Sequence, residues 1–165
     1  MTVACVGLRQ AARHLNVRVA LDTNILVYGV TRQDAAKRPR ARDVIRRAAA
    51  ADSILPLQAL AECYHVMRIK RLLPHARAVR VLRLLRSFLT TIPADPADLD
   101  AAFTLVERYG LQFWDAMLVA TVVRAGCDLL ISEDMQDGAI YAGVEVANPF
   151  PGRVLPKRIR DALGG

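Results

Sequence analysis

The chain has 165 residues, a length that suits one domain, and 53% of them are hydrophobic, which is enough apolar material for a sizeable core. This composition excludes a disordered or fibrous protein. The net charge of +7 and the isoelectric point of about 9.9 favour an anionic partner such as nucleic acid, although the same charge can serve solubility alone.

Short apolar runs alternate with helical segments along the chain. The β-branched run "VRVALD" (17–22) predicts a buried strand, and the Ala/Arg-rich stretch 40–52 predicts a helix. An Asp at the start and a Gly at the end are typical helix boundaries, and they delimit two helices, 95–110 and 115–126. The other predicted strands cover 53–57, 90–93, 127–132 and 144–148, and the other predicted helices cover 58–73 and 74–89.

This alternation predicts an α/β fold in which a parallel sheet is covered by helices on both faces. The sequence contains no repeat, low-complexity tract or linker that would divide it, so we expect a single domain. Ligands of such sheets bind beyond the carboxyl ends of the strands. Asp22 ends the first strand, Asp134 follows the strand 127–132, and Asp115 begins a helix near the same edge.

Four acids are candidates for one site at that edge: Asp22, Glu62, Asp115 and Asp134. Carboxylates crowded into a partly dehydrated site repel one another, so they stay ionised only beside a cation. Oxygen ligands without His or Cys suit Mg²⁺, or alternatively Mn²⁺. Such a metal activates water and stabilises a leaving oxygen, which suits phosphodiester hydrolysis, and the positive charge of the chain suits a polyanionic substrate.

Each acid also has a purely structural explanation. Asp22 could cap the helix that follows it, and Asp115 could be another helix N-cap. Glu62 lies in the middle of a predicted helix, where a solvated surface carboxylate is the ordinary expectation. Ser132 and Asp134 could be turn residues. Two neighbouring acids compete with Asp134 for its role: Glu133 and Asp137.

Cys5, Cys63 and Cys127 are odd in number and widely spaced, which argues against a disulfide framework and against a structural zinc site. No stretch has the length of uncharged apolar sequence that a membrane span needs, and the first residues do not form a signal peptide. We therefore expect a soluble, cytoplasmic protein with no membrane partner.

A family resemblance is carried by four segments: "LDTNILVY" (21–28), "LAE" (60–62), "FWDAMLVATVVRAGCDLLISEDMQDG" (113–138) and "VANPF" (146–150). With them the chain resembles the PIN-domain ribonucleases of the VapC type, the toxins of bacterial and archaeal toxin–antitoxin pairs. The resemblance implies a three-layer α/β/α sandwich with a central parallel sheet. It places a PIN domain at residues 17–150, an N-terminal extension of doubtful status at 1–16 and a C-terminal tail at 151–165.

The resemblance also implies roles for particular residues. The metal-binding acids of the family correspond here to Asp22, Glu62, Asp115 and Asp134. The matching positions around them are the polar supports Thr23, Asn24 and Ser132 and the commonly acidic, less defined Asp137. The implied reaction is Mg²⁺-dependent hydrolysis of RNA by a metal-activated water. The implied partners are a cognate antitoxin and a second copy of the chain. Apolar residues at helical spacing in 63–73 and 78–89 are candidates for these interfaces; the alternative is that they belong to the core.

Three other functions compete with this one. A catalytically silent, PIN-like module that binds RNA is expected to lack one or more of the acids, whereas this chain has all four. A Mg²⁺-dependent phosphatase of the haloacid-dehalogenase type needs a second Asp where this chain has Asn24. A receiver-like domain needs a Lys that follows a late strand with suitable spacing, and this chain has none there. For residues 1–16 we expect that translation starts at Val17 and that their deletion changes neither fold nor cleavage; the alternative is a basic arm near the RNA.

Overall fold

The computed structural model describes residues 17–164, and the predictions about residues 1–16 lie outside the described residues. The elements are β1 (Val19–Leu21), α1 (Thr23–Val30), α2 (Arg38–Ala48), β2 (Ser53–Pro56), α3 (Leu57–Ile69), α4 (His75–Phe88), β3 (Thr90–Ile92), α5 (Pro96–Tyr109), α6 (Phe113–Arg124), β4 (Leu129–Ile131), β5 (Ile140–Tyr141), β6 (Val144–Ala147) and α7 (Lys157–Ala162).

The strands form one sheet in the order β3-β2-β1-β4-β6-β5. β1 lies between two parallel neighbours, with Val19 opposite Ser53 in β2 and Leu21 opposite Ile131 in β4. The carboxyl ends of β1 and β4 are therefore side by side. Only β5, of the strands in the described chain, runs antiparallel to its partner, and the sequence did not predict it because two residues give no periodic signal.

Helices cover both faces of the sheet, and each face has its own hydrophobic core. Val19 and Leu21 point into a core shared with α1, α2, α3, α4 and α7, whereas Ala20 points into a core shared with α5 and α6. Successive side chains of a strand point to opposite faces, so a strand buried on both faces is apolar throughout, as β1 is. The predicted three-layer α/β/α sandwich with a mostly parallel sheet is confirmed.

Residues beyond Phe150 contribute to the first of these cores. Leu155, Ile159 and Leu163 are buried, and α7 packs with them against the sheet. The guanidinium of Arg40 fixes the preceding loop, because it donates hydrogen bonds to backbone carbonyls of residues 149–152 at 2.6 to 3.2 Å. The tail that the family pattern leaves out is thus packed against the same domain.

Helix α4 shows which apolar positions remain at the surface. Ala78 and Leu85 are buried, whereas Leu84 and Phe88 are 56% and 62% exposed. Four arginines of the helix are exposed: Arg77, Arg80, Arg83 and Arg86. The arginines are therefore solvated, and the apolar positions of this helix, for which the sequence left core and interface open, divide between core and surface. Within residues 17–164, none of the helices combines the length and the apolar character that crossing a bilayer requires.

Candidate active site

A polar pocket of about 300 Å³ lies at the carboxyl edge of the sheet. The four candidate acids all line it: Asp22, Glu62, Asp115 and Asp134. Each comes from a different segment. Asp22 follows β1, Glu62 lies within α3, Asp115 lies in the first turn of α6, and Asp134 lies in the loop after β4. The structure thus brings together acids that are far apart in sequence.

Asp22 is the most buried of these acids, with 5% of its surface exposed. Its Oδ1 accepts a hydrogen bond from the backbone N–H of Thr23 at 2.6 Å, and its Oδ2 accepts one from the hydroxyl of Ser132 at 2.6 Å. Burial raises the pKa of Asp22 to about 6, and the negative charges of Asp134 and Asp115 add to the rise. Asp22 therefore caps α1, as the structural explanation predicted, while it also lines the acidic pocket.

Ser132 connects two of the acids. It is fully buried, and besides donating to Asp22 its hydroxyl accepts a hydrogen bond from the backbone N–H of Asp134 at 3.2 Å. Asp134 itself is exposed. The contacts of Ser132 thus tie the loop after β4 to the end of β1.

Glu62 is held in place through both of its carboxylate oxygens. The hydroxyl of Thr23 donates to Oε2 at 2.9 Å, and Nε2 of Gln58 donates to Oε1 at 2.8 Å. The same Gln58 nitrogen donates to the backbone carbonyl of Trp114 at 3.0 Å. The expectation of an unconstrained surface carboxylate is therefore wrong for Glu62, because hydrogen bonds orient it into the pocket.

Asp115 is not a helix N-cap. Helix α6 begins at Phe113, two residues before the predicted start, and its N-cap is Gln112, which makes no capping hydrogen bond with its side chain. Asp115 lies instead in the first turn, where the helix dipole favours a negative charge. Burial nevertheless raises its pKa, and repulsion from Asp134 and Glu62 adds to the effect.

Asn24 contributes an unusual pair of atoms to the pocket. Both its amide nitrogen and its amide oxygen are buried without a hydrogen-bond partner among the described residues. Buried polar groups are nearly always paired, so a donor and an acceptor left free at the wall of a pocket point to a polar group bound there.

The donor set fits a hard cation. All the candidate ligands are carboxylate oxygens, and no ion pair of the described residues involves any of the four acids. With the side chains placed as they are, no three His, Cys, Asp or Glu groups within residues 17–164 stand close enough together to hold a metal ion. The chemistry of the donors and their mutual repulsion therefore fit a hard cation, and the side chains would have to come closer together to ligate one.

The two competing acids have other partners. Glu133 forms an ion pair with Lys37 at 2.5 Å and accepts a hydrogen bond from the hydroxyl of Tyr28. Asp137 accepts a hydrogen bond from the backbone N–H of Asn148 at 2.7 Å and pairs with Arg158, and it does not line the pocket. Both acids thus fasten loops around the site.

Sequence reasoning missed three polar side chains that line the pocket: Tyr28, Gln33 and Lys70. Tyr28 lies on α1 four residues, or about one turn, after Asn24, so the helical spacing could have indicated it. Gln33 and Lys70 lie in connections, where no periodic pattern predicts which way a side chain points.

Comparisons with known proteins agree with this fold. A chain of a toxin–antitoxin complex from Klebsiella pneumoniae is 21% identical, with a TM-score of 0.59 over 80% of this chain and 98% of that chain. A FitAcB structure from Neisseria gonorrhoeae is 18% identical, with a TM-score of 0.56 over 81% of this chain and 99% of that chain. The VapC20 toxin of Mycobacterium tuberculosis is 17% identical, with a TM-score of 0.55 over 68% of this chain and 86% of that chain. No curated protein matches the sequence. The family model of the PIN domain matches residues 19–136, from β1 to the loop after β4, and the chain therefore belongs to the PIN-domain family.

Proposed function

We propose that this chain is a Mg²⁺-dependent endoribonuclease that hydrolyses RNA phosphodiester bonds, with Mn²⁺ as an alternative metal. The observation that carries the proposal is the convergence of four carboxylates, from four segments, in one pocket. Lys70 also lines this pocket, but none of the four acids forms an ion pair within the described chain. Uncompensated carboxylates destabilise a fold, so their presence together at the ligand-binding edge of the sheet favours a catalytic role.

Asp22, Asp115 and Asp134 are the acids that would hold the metal, with Glu62 beside them. When bound, Mg²⁺ supplies an activated water and neutralises the charge that develops on the scissile phosphate. Glu62 is oriented by the hydrogen bonds that it accepts from Thr23 and Gln58, so it is placed to orient the attacking water and to accept its proton. The hydroxyl of Ser132 donates a hydrogen bond to one oxygen of Asp22 and thereby fixes the orientation of that carboxylate.

RNA as the substrate is supported by charge and by likeness. The chain carries a net charge of +7, and basic side chains attract the phosphates of a polyanion while the acidic pocket faces the bond to be cut. The VapC20 toxin, which shares the fold, is described as cleaving the sarcin–ricin loop. Both points favour RNA over a small phosphate ester.

We also propose that the chain is the toxin of a toxin–antitoxin pair. The Klebsiella pneumoniae structure that shares its fold is described as a toxin–antitoxin complex, and VapC20 is described as a toxin. An apolar groove of about 540 Å³ lies between α1, α2 and α4, with Leu84 and Phe88 on one side and Arg38, Arg42 and Arg46 among its lining. A groove of this kind suits an amphipathic antitoxin segment that carries acidic residues. Expression with the neighbouring gene is expected to yield a stable complex, which Phe88→Glu weakens.

A homodimer is proposed as the state of the toxin itself. Large exposed apolar side chains on α3 and α4, such as Ile69, Leu84 and Phe88, provide surface for it. Light scattering of the purified chain over a range of concentrations tests this, and a monomer at every concentration contradicts it.

The ribonuclease proposal is tested by incubating the purified chain with total cellular RNA, with Mg²⁺ or with EDTA, and mapping the cut ends. Cleavage is expected only with the metal, and Asp22→Asn, Asp115→Asn and Asp134→Asn are expected to abolish it while the fold is kept. Asp161→Asn is the matched control, because Asp161 is an exposed carboxylate that pairs only with Lys157 in the described chain.

The rival functions give different results in the same assay. A catalytically silent module binds RNA and leaves it intact with or without metal. A phosphatase releases phosphate from a small ester and leaves the RNA chain intact. Cleavage that persists in EDTA, or in Asp115→Asn, contradicts the metal mechanism.

A further inference from the structure

An exposed aromatic cluster lies at the start of α6. It consists of Phe113 and Trp114 together with Phe103 from α5, with ring centroids 5.9 Å apart for Phe103 and Phe113 and 5.2 Å apart for Phe113 and Trp114. Trp114 is 65% exposed and Phe103 is 50% exposed. Large apolar rings gathered at the surface mark a binding surface rather than a packed core.

The cluster is linked to the acidic pocket by bonds. Trp114 immediately precedes Asp115, and its backbone carbonyl accepts the hydrogen bond from Gln58 that also connects to Glu62. The backbone at Trp114 is therefore held in place relative to two of the pocket acids. Trp114 and Asp115 are consecutive residues, with Cα atoms about 3.8 Å apart, so the indole lies next to the position where a phosphate would meet the acids.

The geometry of the rings suits stacking. Phe113 meets Trp114 at an interplanar angle of 66°, an edge contact that braces the indole without stacking against it. Every nucleobase has a flat π face, and stacking on an aromatic side chain strengthens binding on the order of tenfold per base. A base inside a duplex is covered by its neighbours, so only an unpaired base can occupy such a ring.

We propose that Trp114, braced by Phe113, is a stacking site for an unpaired nucleobase next to the scissile phosphate, an inference that rests on the proposed ribonuclease function. A base is favoured over a second copy of the chain as the occupant because the cluster is tied through Gln58 to Glu62, which places it along the path of the substrate.

Fluorescence tests the contact directly, since Trp114 is the single tryptophan of the chain. The wild-type protein is titrated in EDTA with a short single-stranded RNA, and binding is followed in parallel by the anisotropy of a label on the RNA. Saturable quenching of the indole is expected, and the same RNA with abasic nucleotides is expected to quench far less. Binding seen by anisotropy with unchanged indole emission overturns the proposal. Emission that instead changes with protein concentration alone, in step with the mass from light scattering, shows a second copy on the cluster and overturns it as well.

Steady-state cleavage of a labelled RNA in Mg²⁺ supplies the second measurement. Trp114→Ala is expected to raise KM by about tenfold, with a much smaller effect on kcat, because a stacked base contributes to binding. Ile140→Ala, which truncates an apolar side chain of β5 that is 62% exposed, is the matched control and is expected to leave KM unchanged. An unchanged KM in Trp114→Ala overturns the proposed stacking site but leaves the proposed ribonuclease function intact. Wild-type protein that neither binds nor cuts RNA contradicts both proposals.

Discussion

Asp22 and Asp98 are both buried aspartates, with 5% and 2% of their surfaces exposed, but their surroundings are opposite. Asp98 accepts hydrogen bonds from Nε of Arg124 at 2.8 Å and from the hydroxyl of Thr121 at 3.0 Å. Burial disfavours its charge, but these hydrogen bonds and the positive charge of Arg124 prevail and lower its pKa. Asp22 has no cation beside it in the described chain, and burial raises its pKa to about 6.

The difference is the one expected between a structural carboxylate and a carboxylate of a functional site. Asp98 completes the capping box of α5 and joins α5 to α6, so its charge contributes to stability. Asp22 faces other acids in a pocket, so its charge costs stability in the protein without metal. A fold that keeps an unfavourable charge in this position does so for what the charge binds.

The largest expected effect is on catalysis. Asp22→Asn keeps the size of the side chain and its ability to cap α1 but removes the charge that the metal needs. We expect the rate of RNA cleavage in Mg²⁺ to fall by about 1,000-fold or more. Circular dichroism checks that the fold is kept. Asp98→Asn is the control, with a wild-type rate per folded molecule, and an Asp22→Asn variant that cleaves as fast as wild type contradicts the assignment.

The next largest effect is on stability, and here Asp98→Asn is expected to have a larger effect than Asp22→Asn. Asp98→Asn weakens the contacts to Arg124 and disturbs the buried hydroxyl of Thr121, so we expect the free energy of unfolding in urea to fall by about 3 kcal/mol. Asp22→Asn in metal-free buffer is expected to be neutral or stabilising. Asp100→Asn, an exposed carboxylate on the same helix as Asp98, serves as the comparison. Equal losses in both buried variants break the distinction.

The pH dependence of stability sharpens the same comparison. The folded-state pKa of Asp22 is about 6, above its ordinary value of 3.8, so its contribution to stability is fully present below pH 3.8 and is lost as the pH rises through 6. In EDTA we expect this group to lower the free energy of unfolding by roughly 2 kcal/mol as the pH rises from 4 to 6.5. Asp98 has the opposite sign, because its lowered pKa gives stability above the ordinary value that is lost as the pH falls. Urea unfolding of wild type and Asp22→Asn across this range isolates the effect, and parallel curves for the two proteins contradict it.

Much of this contrast could be predicted from the sequence, because strand ends and helix caps are local signals. Asp22 follows an apolar run, and the sheet order places it beside the loop that carries Asp134. The capping box around Asp98 follows from Asp95 and Pro96 at the start of α5. The strand end and the helix cap each depend on residues that are close together in the chain, whereas the approach of Asp134 to Asp22 depends on the order of the strands.

The remaining features depend on contacts between distant segments. Nothing local indicates that Glu133 bonds to Tyr28 and Lys37, or that Asp137 pairs with Arg158. The start of α6 at Phe113 was also missed, because Gln112 is a weak capping residue and Asp115 gave a stronger false signal. Side-chain direction at a loop is set by tertiary packing, which a single sequence does not display.

The smallest expected effect is stabilisation by metal. It tests the catalytic and the stability predictions for Asp22 and Asp98 together. A ligand that binds only the folded protein adds about 1.4 kcal/mol to the free energy of unfolding at a concentration ten times its Kd. Mg²⁺ or Mn²⁺ is therefore expected to raise the melting temperature of the wild type and of Asp98→Asn by similar small amounts, since Asp98 is already neutralised by Arg124. Asp22→Asn is expected to respond much less, because it lacks the charge that the cation neutralises. Calorimetric titration of the three proteins with Mn²⁺ measures the same difference as an affinity. An equal shift in all three proteins means that the cation binds elsewhere, and in that case Asp22 is not one of its ligands.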